Sequence, residues 1–143
     1  MRVFAGGLSR RVGSGRRQKE YHIVRKVNSG KERVMDRFPT CKITVLKTLY
    51  HQDLAEEYRR PDVHRGPCPF FTVGQEFTVN YLVERPEGFA CDWAWDDIHK
   101  VLLALMVKGD FSTWMKDGNT FITCCTDGVK PVVFKVERIE SHG

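Results

Sequence analysis

Five cysteines are the residues of this chain that offer the most chemistry. Cys124 and Cys125 are adjacent, whereas Cys41, Cys68 and Cys91 lie far apart in the sequence. Thiolates bind zinc and iron–sulfur clusters and exchange with disulfides, so a fold that gathers these side chains would create a metal or redox site. The chain has no C-x-x-C pair, and we therefore expect tertiary structure to decide whether such a site forms.

The metal hypothesis takes all five cysteines as candidate ligands, with zinc or an iron–sulfur cluster as the cofactor. Adjacent residues of a regular strand point to opposite faces, so Cys124 and Cys125 should not hold the same ion. The competing interpretation is that Cys41, Cys91 and one of the pair pack as small apolar side chains in a reduced core. The cofactor stays unassigned on the sequence alone.

Cys68 is the candidate catalytic residue. It lies in a segment, residues 60–69, with three prolines and a glycine, which predicts an exposed connection with a stiff backbone. Exposure, together with His64 and Arg65 nearby, would favour its thiolate. In a redox enzyme Cys68 would attack and a cysteine of the predicted hairpin would resolve. The alternative is a rigid turn in which the cysteine is incidental.

A third hypothesis uses the segment around residues 93–99. Three tryptophans and four phenylalanines could line an apolar pocket, with Asp96 and His99 as acid/base groups. The aromatic residues are Trp93, Trp95, Trp114, Phe70, Phe71, Phe89 and Phe111. Helical spacing already explains Trp95 as a core residue. We expect Asp96, Asp97 and His99 to lie solvated on the polar face of that helix.

Periodicity predicts the strands. Apolar and polar residues alternate over residues 41–49 and again over residues 75–83. Asp127-Gly128 stands between two β-rich runs within residues 120–137, which predicts a hairpin and two more strands.

Two helices complete the predicted domain. Residues 53–59 form a short one, and residues of about 93–107 form a long one, capped by Asp92 and ended by Gly109. The long helix is apolar nearly all round in its second half, so it should be largely covered. The predicted fold class is α+β: a small, mainly antiparallel four-stranded sheet with one long buried helix and a short helix.

The basic character of the chain belongs to its first part. Residues 1–37 contain 11 Lys and Arg against 3 Asp and Glu, and the rest contains 12 against 15. We expect residues 1–34 to be a basic disordered leader, because the segment is rich in Arg, Gly and Ser and poor in large apolar residues. Residues 35–143 should form a single α+β domain. A nucleic-acid-binding arm and a transit peptide are the alternatives for the leader.

A translated upstream stretch is the favoured interpretation of this leader. Gly30-Lys31-Glu32 corresponds to a purine-rich run of codons just before Met35. A bacterial ribosome-binding site for a start at Met35 would lie there, so we expect the natural product to begin at that residue. A nucleic-acid partner is disfavoured accordingly.

The chain shows no apolar run of the roughly 18 residues that a membrane span needs, and no secretory signal. An odd number of cysteines favours free thiols in a reducing compartment. We therefore expect a cytoplasmic, non-membrane protein. Its expected function is a thiol-bearing binding or accessory module for a metal, a cofactor, or an unknown protein or small-molecule partner, and the alternative is a thiol-dependent redox enzyme.

Four long segments resemble a family of small uncharacterised cysteine-containing proteins of anaerobic bacteria and archaea. The segments are CKITVLK (41–47), PCPFFTVGQEF (67–77), PEGFACDWAWDDI (86–98) and CCTDGVKPVVFKVERI (124–139). The resemblance implies a stand-alone cytoplasmic domain and matches all five cysteines. An anaerobic host would suit oxygen-sensitive thiol or metal chemistry, but the resemblance implies no activity.

Overall fold

The structure is a computed structural model that describes residues 38–80 and 84–139. All of these residues belong to the unit Met35–Gly143. The predicted leader, residues 1–34, lies outside the described residues. Residues 81–83, the end of the predicted second strand, also lie outside the described residues.

Four strands form one antiparallel sheet in the spatial order β2-β1-β4-β3. Their bounds are Thr40–Thr48 for β1, Glu76–Val79 for β2, Thr120–Cys124 for β3 and Val132–Ile139 for β4. The predicted four-stranded antiparallel sheet is thereby confirmed, as is the hairpin that joins β3 to β4.

Alternation along the two central strands gives the sheet one buried face. Cys41, Ile43 and Val45 of β1 are buried, and the residues between them are only half-buried. On β4 the buried residues are Val132, Phe134 and Val136. Burying each large apolar side chain stabilises the fold by about 1.5–3 kcal/mol, so these two strands form the base of the core.

The two helices are α1, Gln52–Tyr58, and α2, Asp92–Met106. Six residues of α2 are buried: Ala94, Ile98, Val101, Leu102, Leu105 and Met106. They follow helical spacing and pack with the buried face of the sheet in one cluster. The expectation that the second half of this helix is largely covered agrees with the burial of Val101, Leu102, Leu105 and Met106, although Leu103 is 43% exposed.

The end of α2 differs from the prediction in its details. Lys108 adopts the left-handed conformation, with φ 63°, where Gly109 was expected to do so. Gly109 is needed for close packing instead, because a Cβ there would lie 2.7 Å from the carbonyl oxygen of Ala104. The guanidinium of Arg138 donates hydrogen bonds to the carbonyls of Leu105 and Gly109, at 3.1 and 3.3 Å, and so satisfies the helix end.

Among the described residues, neither helix has the length and apolar character required to cross a bilayer.

Candidate ligand-binding site

A cavity of about 230 Å³ opens where β4 begins, beside the first turn of α2. Three stretches of the chain that are distant in sequence border it, and Arg59 adds a wall from the end of α1. The bordering residues are Cys68, Phe70 and Phe71; Cys91, Trp93 and Ala94; and Cys125, Asp127, Lys130 and Val132. The fold therefore brings Cys68, Cys91 and Cys125 to one hollow, one from each stretch.

The other two cysteines lie elsewhere. Cys41 is fully buried in the core, and in the register of the sheet it lies opposite Arg138 of β4. Val132, which borders the cavity, is six residues from Arg138 along the same strand, roughly 20 Å at about 3.3 Å per residue. Cys124 is exposed and does not border the cavity. The five cysteines thus divide into a group of three and two separate residues.

Cys91 is the N-cap residue of α2. Its backbone is extended, and its sulfur accepts a hydrogen bond from the amide of Ala94 at 3.4 Å. The predicted cap, Asp92, is instead the first residue of the helix. The sequence signal was misleading because Asp is a strong cap residue and Cys a weak acceptor, so local preference pointed one residue too far along the chain.

Cys125 follows the last residue of β3. Its amide donates to the carbonyl of Val132 at 3.1 Å, and its sulfur accepts from the amide of Val132 at 3.3 Å. Two of the three sulfurs at the cavity are therefore acceptors of backbone N–H groups. Hydrogen bonds to sulfur are one of the means by which proteins adjust thiolate ligands.

Cys68 is half-buried and packs against the core cluster. The prediction that it is the most solvent-reachable thiol is wrong for the described residues, since Cys124 is the exposed one. The carbonyl of Pro67 accepts a hydrogen bond from Nε2 of His64 at 3.2 Å. The histidine expected to act on the Cys68 thiol therefore contacts the backbone of the preceding residue.

Opposite charges meet at the cavity wall. A terminal nitrogen of Arg59 lies 3.3 Å from Oδ2 of Asp127, while Oδ1 of Asp127 accepts from the amides of Val129 and Lys130 at 2.9 and 3.0 Å. Partial burial opposes ionisation of this carboxyl. The two amides, with the charges of Arg59 and Lys130, outweigh that effect and lower the pKa of Asp127.

Asp97 links α2 to the loop between β3 and β4 by hydrogen bonds. Its Oδ2 accepts from the amide and from the hydroxyl of Thr126, at 2.7 and 3.0 Å. The expectation that Asp97 is simply solvated is wrong, because it holds the residue that follows Cys125. Asp96 is exposed as expected, and the ring of His99 lies against Trp95 with centroids 5.6 Å apart.

The aromatic residues divide between the cavity and the core. Trp93 and Phe70 border the cavity and are 70% and 53% exposed, so they stand at its mouth. Trp95 packs against Phe89 in the core, with ring centroids 5.7 Å apart. Trp95 is not among the residues that border this cavity.

The sulfurs share the cavity without meeting at one point. No group of three or more His, Cys, Asp or Glu side chains within residues 38–80 and 84–139 is placed where it could hold a metal ion. The assignment of Cys41, Cys68, Cys91, Cys124 and Cys125 as metal ligands stays a prediction, and so does Cys68 as a catalytic residue.

Comparisons with known protein families, with proteins of described function and with solved structures find no match to this chain. The resemblance to cysteine-containing proteins of anaerobes stays an expectation from the sequence.

Proposed function

We propose that this chain is a thiol-bearing binding module whose ligand occupies the cavity bordered by Cys68, Cys91 and Cys125. The observation that carries the proposal is the convergence itself. Three cysteines separated by more than twenty residues each border one hollow, although each comes from a different part of the fold.

The size of the cavity limits the ligand. Pockets for drug-sized molecules are usually about 300–1,000 Å³, whereas this one is about 230 Å³. A small thiophilic molecule could contact the three bordering cysteines at separate points. A bare metal ion would require the three sulfurs to move towards one centre, so the small molecule is the better fit to this geometry.

The same site supports proposals for the compartment and for the partners. Free thiols that line a cavity require a reducing environment, which supports the proposal of a cytoplasmic protein. Trp93 and Phe70, exposed at the mouth, would cover a bound ligand or meet the protein that delivers it.

A thiol-dependent redox enzyme is the second candidate. Cys68 and Cys125 border the same cavity, as an attacking and a resolving thiol would. This candidate predicts an internal disulfide between these two residues after treatment with a low-molecular-weight disulfide. A binding module predicts retention of a ligand without that change.

Native mass spectrometry on protein purified without oxygen tests the binding proposal. We expect a retained mass on the wild-type chain and on the control variant Cys124→Ser, and its loss from the triple variant Cys68→Ser, Cys91→Ser, Cys125→Ser. The mass separates a metal ion from a molecule. Wild-type protein that retains no added mass would contradict the proposal. So would a triple variant that keeps the added mass while its circular dichroism spectrum is unchanged.

A further inference from the structure

We infer that the ligand of the cysteine cavity carries a negative charge beside its thiophilic part. The inference rests on the proposed function, because it names the chemical class of the ligand for the same site. Carboxylate, sulfonate and phosphate groups share the required chemistry.

The charges that border the cavity do not cancel. Arg59 and Lys130 are cationic, and Asp127 is the one carboxylate among the residues described at its wall. Both oxygens of Asp127 already have partners: two amides of its own turn at Oδ1 and the guanidinium of Arg59 at Oδ2. The negative charge is therefore bound within the protein, and a positive charge remains.

Lys130 carries the positive charge that is not neutralised at the cavity. The lysine ion pairs among the described residues involve Lys42 and Lys135, on other parts of the sheet, and not Lys130. The charge of Lys130 acts on Asp127 from a distance. An incoming anion would find this ammonium without a carboxylate in direct contact.

The remaining walls increase the effect of that charge. Phe71, Ala94 and Val132 are buried apolar residues, and apolar walls concentrate the field of nearby charges. The first turn of α2 also faces this region through Cys91 and Ala94. The N-terminus of a 15-residue helix adds positive potential to the same place.

A pair of thiol reagents that differ in charge tests the inference on the intact chain. Sulfonatoethyl methanethiosulfonate is an anion and trimethylammonioethyl methanethiosulfonate is a cation. In both reactions the protein thiolate forms a disulfide with the reagent and methanesulfinate leaves. The rates at Cys68, Cys91 and Cys125 are measured by peptide mass mapping and divided by the rates of the same reagents with β-mercaptoethanol.

We expect the normalised anion-to-cation ratio to be higher at the cavity cysteines than in the reference reaction, on the order of three- to tenfold for one unit charge nearby. Lys130→Gln should remove most of this preference. Lys116→Gln makes the same change of charge on an exposed residue that does not border the cavity, and it should leave the ratio unchanged. Lys130 is preferred to Arg59 for this test because substitution of Arg59 would also free Asp127.

A ratio equal to the reference, or one that Lys130→Gln does not lower, would overturn the inference. This failure differs from failure of the proposed function. A retained ligand without charge preference refutes only the anionic ligand. A charge preference on a chain that retains nothing supports the positive charge of the cavity but refutes the binding module, and the anionic ligand with it.

Discussion

Cys91 has two roles in this structure. It caps α2 through the amide of Ala94 and it borders the cavity. A ligand that contacts its sulfur therefore contacts the start of the helix that covers the core. The binding proposal therefore predicts that ligand binding and the stability of α2 are coupled through this one side chain.

Substitutions at Cys91 separate these roles. Cys91→Ala removes the cap and should lower the free energy of unfolding by about 0.5–1 kcal/mol, at the lower end for N-caps because a thiol is a weak acceptor. Cys91→Ser provides a stronger acceptor and should be at least as stable as the wild type. Urea unfolding of the three proteins measures the difference. Equal stability of the alanine and serine variants would show that the cap contributes nothing.

Asp127 contributes to stability in a way that depends on pH. The fold holds its pKa below the ordinary value of 3.8. The ionised carboxylate therefore stabilises the folded state above that pH, and the contribution is lost as the pH falls through the lowered pKa. The side chains of Arg59 and Asp127 are only 24% and 17% exposed, so solvent screens their ion pair incompletely.

Asp127→Asn keeps an oxygen for the amides of Val129 and Lys130 but removes the charge. We expect it to lower the free energy of unfolding at neutral pH by about 1 kcal/mol. Below the lowered pKa, wild type and variant should converge. Thermal unfolding across the acid range measures both curves, and a constant difference at every pH would contradict the assigned role of the charge.

At the scale of elements, α2 joins the cavity to the core. Its first turn carries Cys91 and Ala94, its middle holds Thr126 through Asp97, and its end depends on Gly109. A substitution at the C-terminal end of α2 should therefore lower the stability of the fold without changing the direct contacts of the cavity residues.

Gly109→Ala tests the close approach at the helix end. The new Cβ would meet the carbonyl oxygen of Ala104 at 2.7 Å, so the backbone must shift, at a cost of about 1–3 kcal/mol. Gly128→Ala is the matched control, because a Cβ there has no neighbour within 4 Å and should change stability by less than about 0.5 kcal/mol. Equal stability losses in the two variants would refute the steric explanation.

The strands and helices could be predicted from the sequence because each has a local signal. Alternation predicted a strand over residues 41–49, and the structure has it at Thr40–Thr48. The long helix, predicted over residues of about 93–107, lies at Asp92–Met106. The boundaries of these two elements differ by one residue, as end effects usually allow. The second strand, predicted over residues 75–83, is shorter in the structure, at Glu76–Val79, with Asn80 outside it.

The site could be predicted only in part. The cysteines were identified from their residue type, but their grouping depends on contacts between distant segments that no local pattern records. Cys68 packs against the core although most of residues 60–69 are exposed, and periodicity gives no indication of which residue of that segment does so. The cap by Cys91 was missed because its neighbour Asp92 has the stronger preference for the position.

At the largest scale, the described residues combine a sheet, one covering helix and three loops that meet at the end where β4 begins. Burial raises the pKa of the Cys41 thiol to about 11, and nearby Arg138 opposes this only in part. Cys41 should therefore stay unreactive in the folded protein. Cys124, exposed on the edge strand β3, should react freely.

The most direct test of the shared cavity is a count of labels on folded protein treated with monobromobimane, a reagent too bulky for more than one copy to fit. We predict one label per molecule distributed over Cys68, Cys91 and Cys125, a separate label on Cys124, and reaction of Cys41 only after unfolding. Three labels on the cavity cysteines of a single folded molecule would show that these residues do not share one site, and would contradict the account.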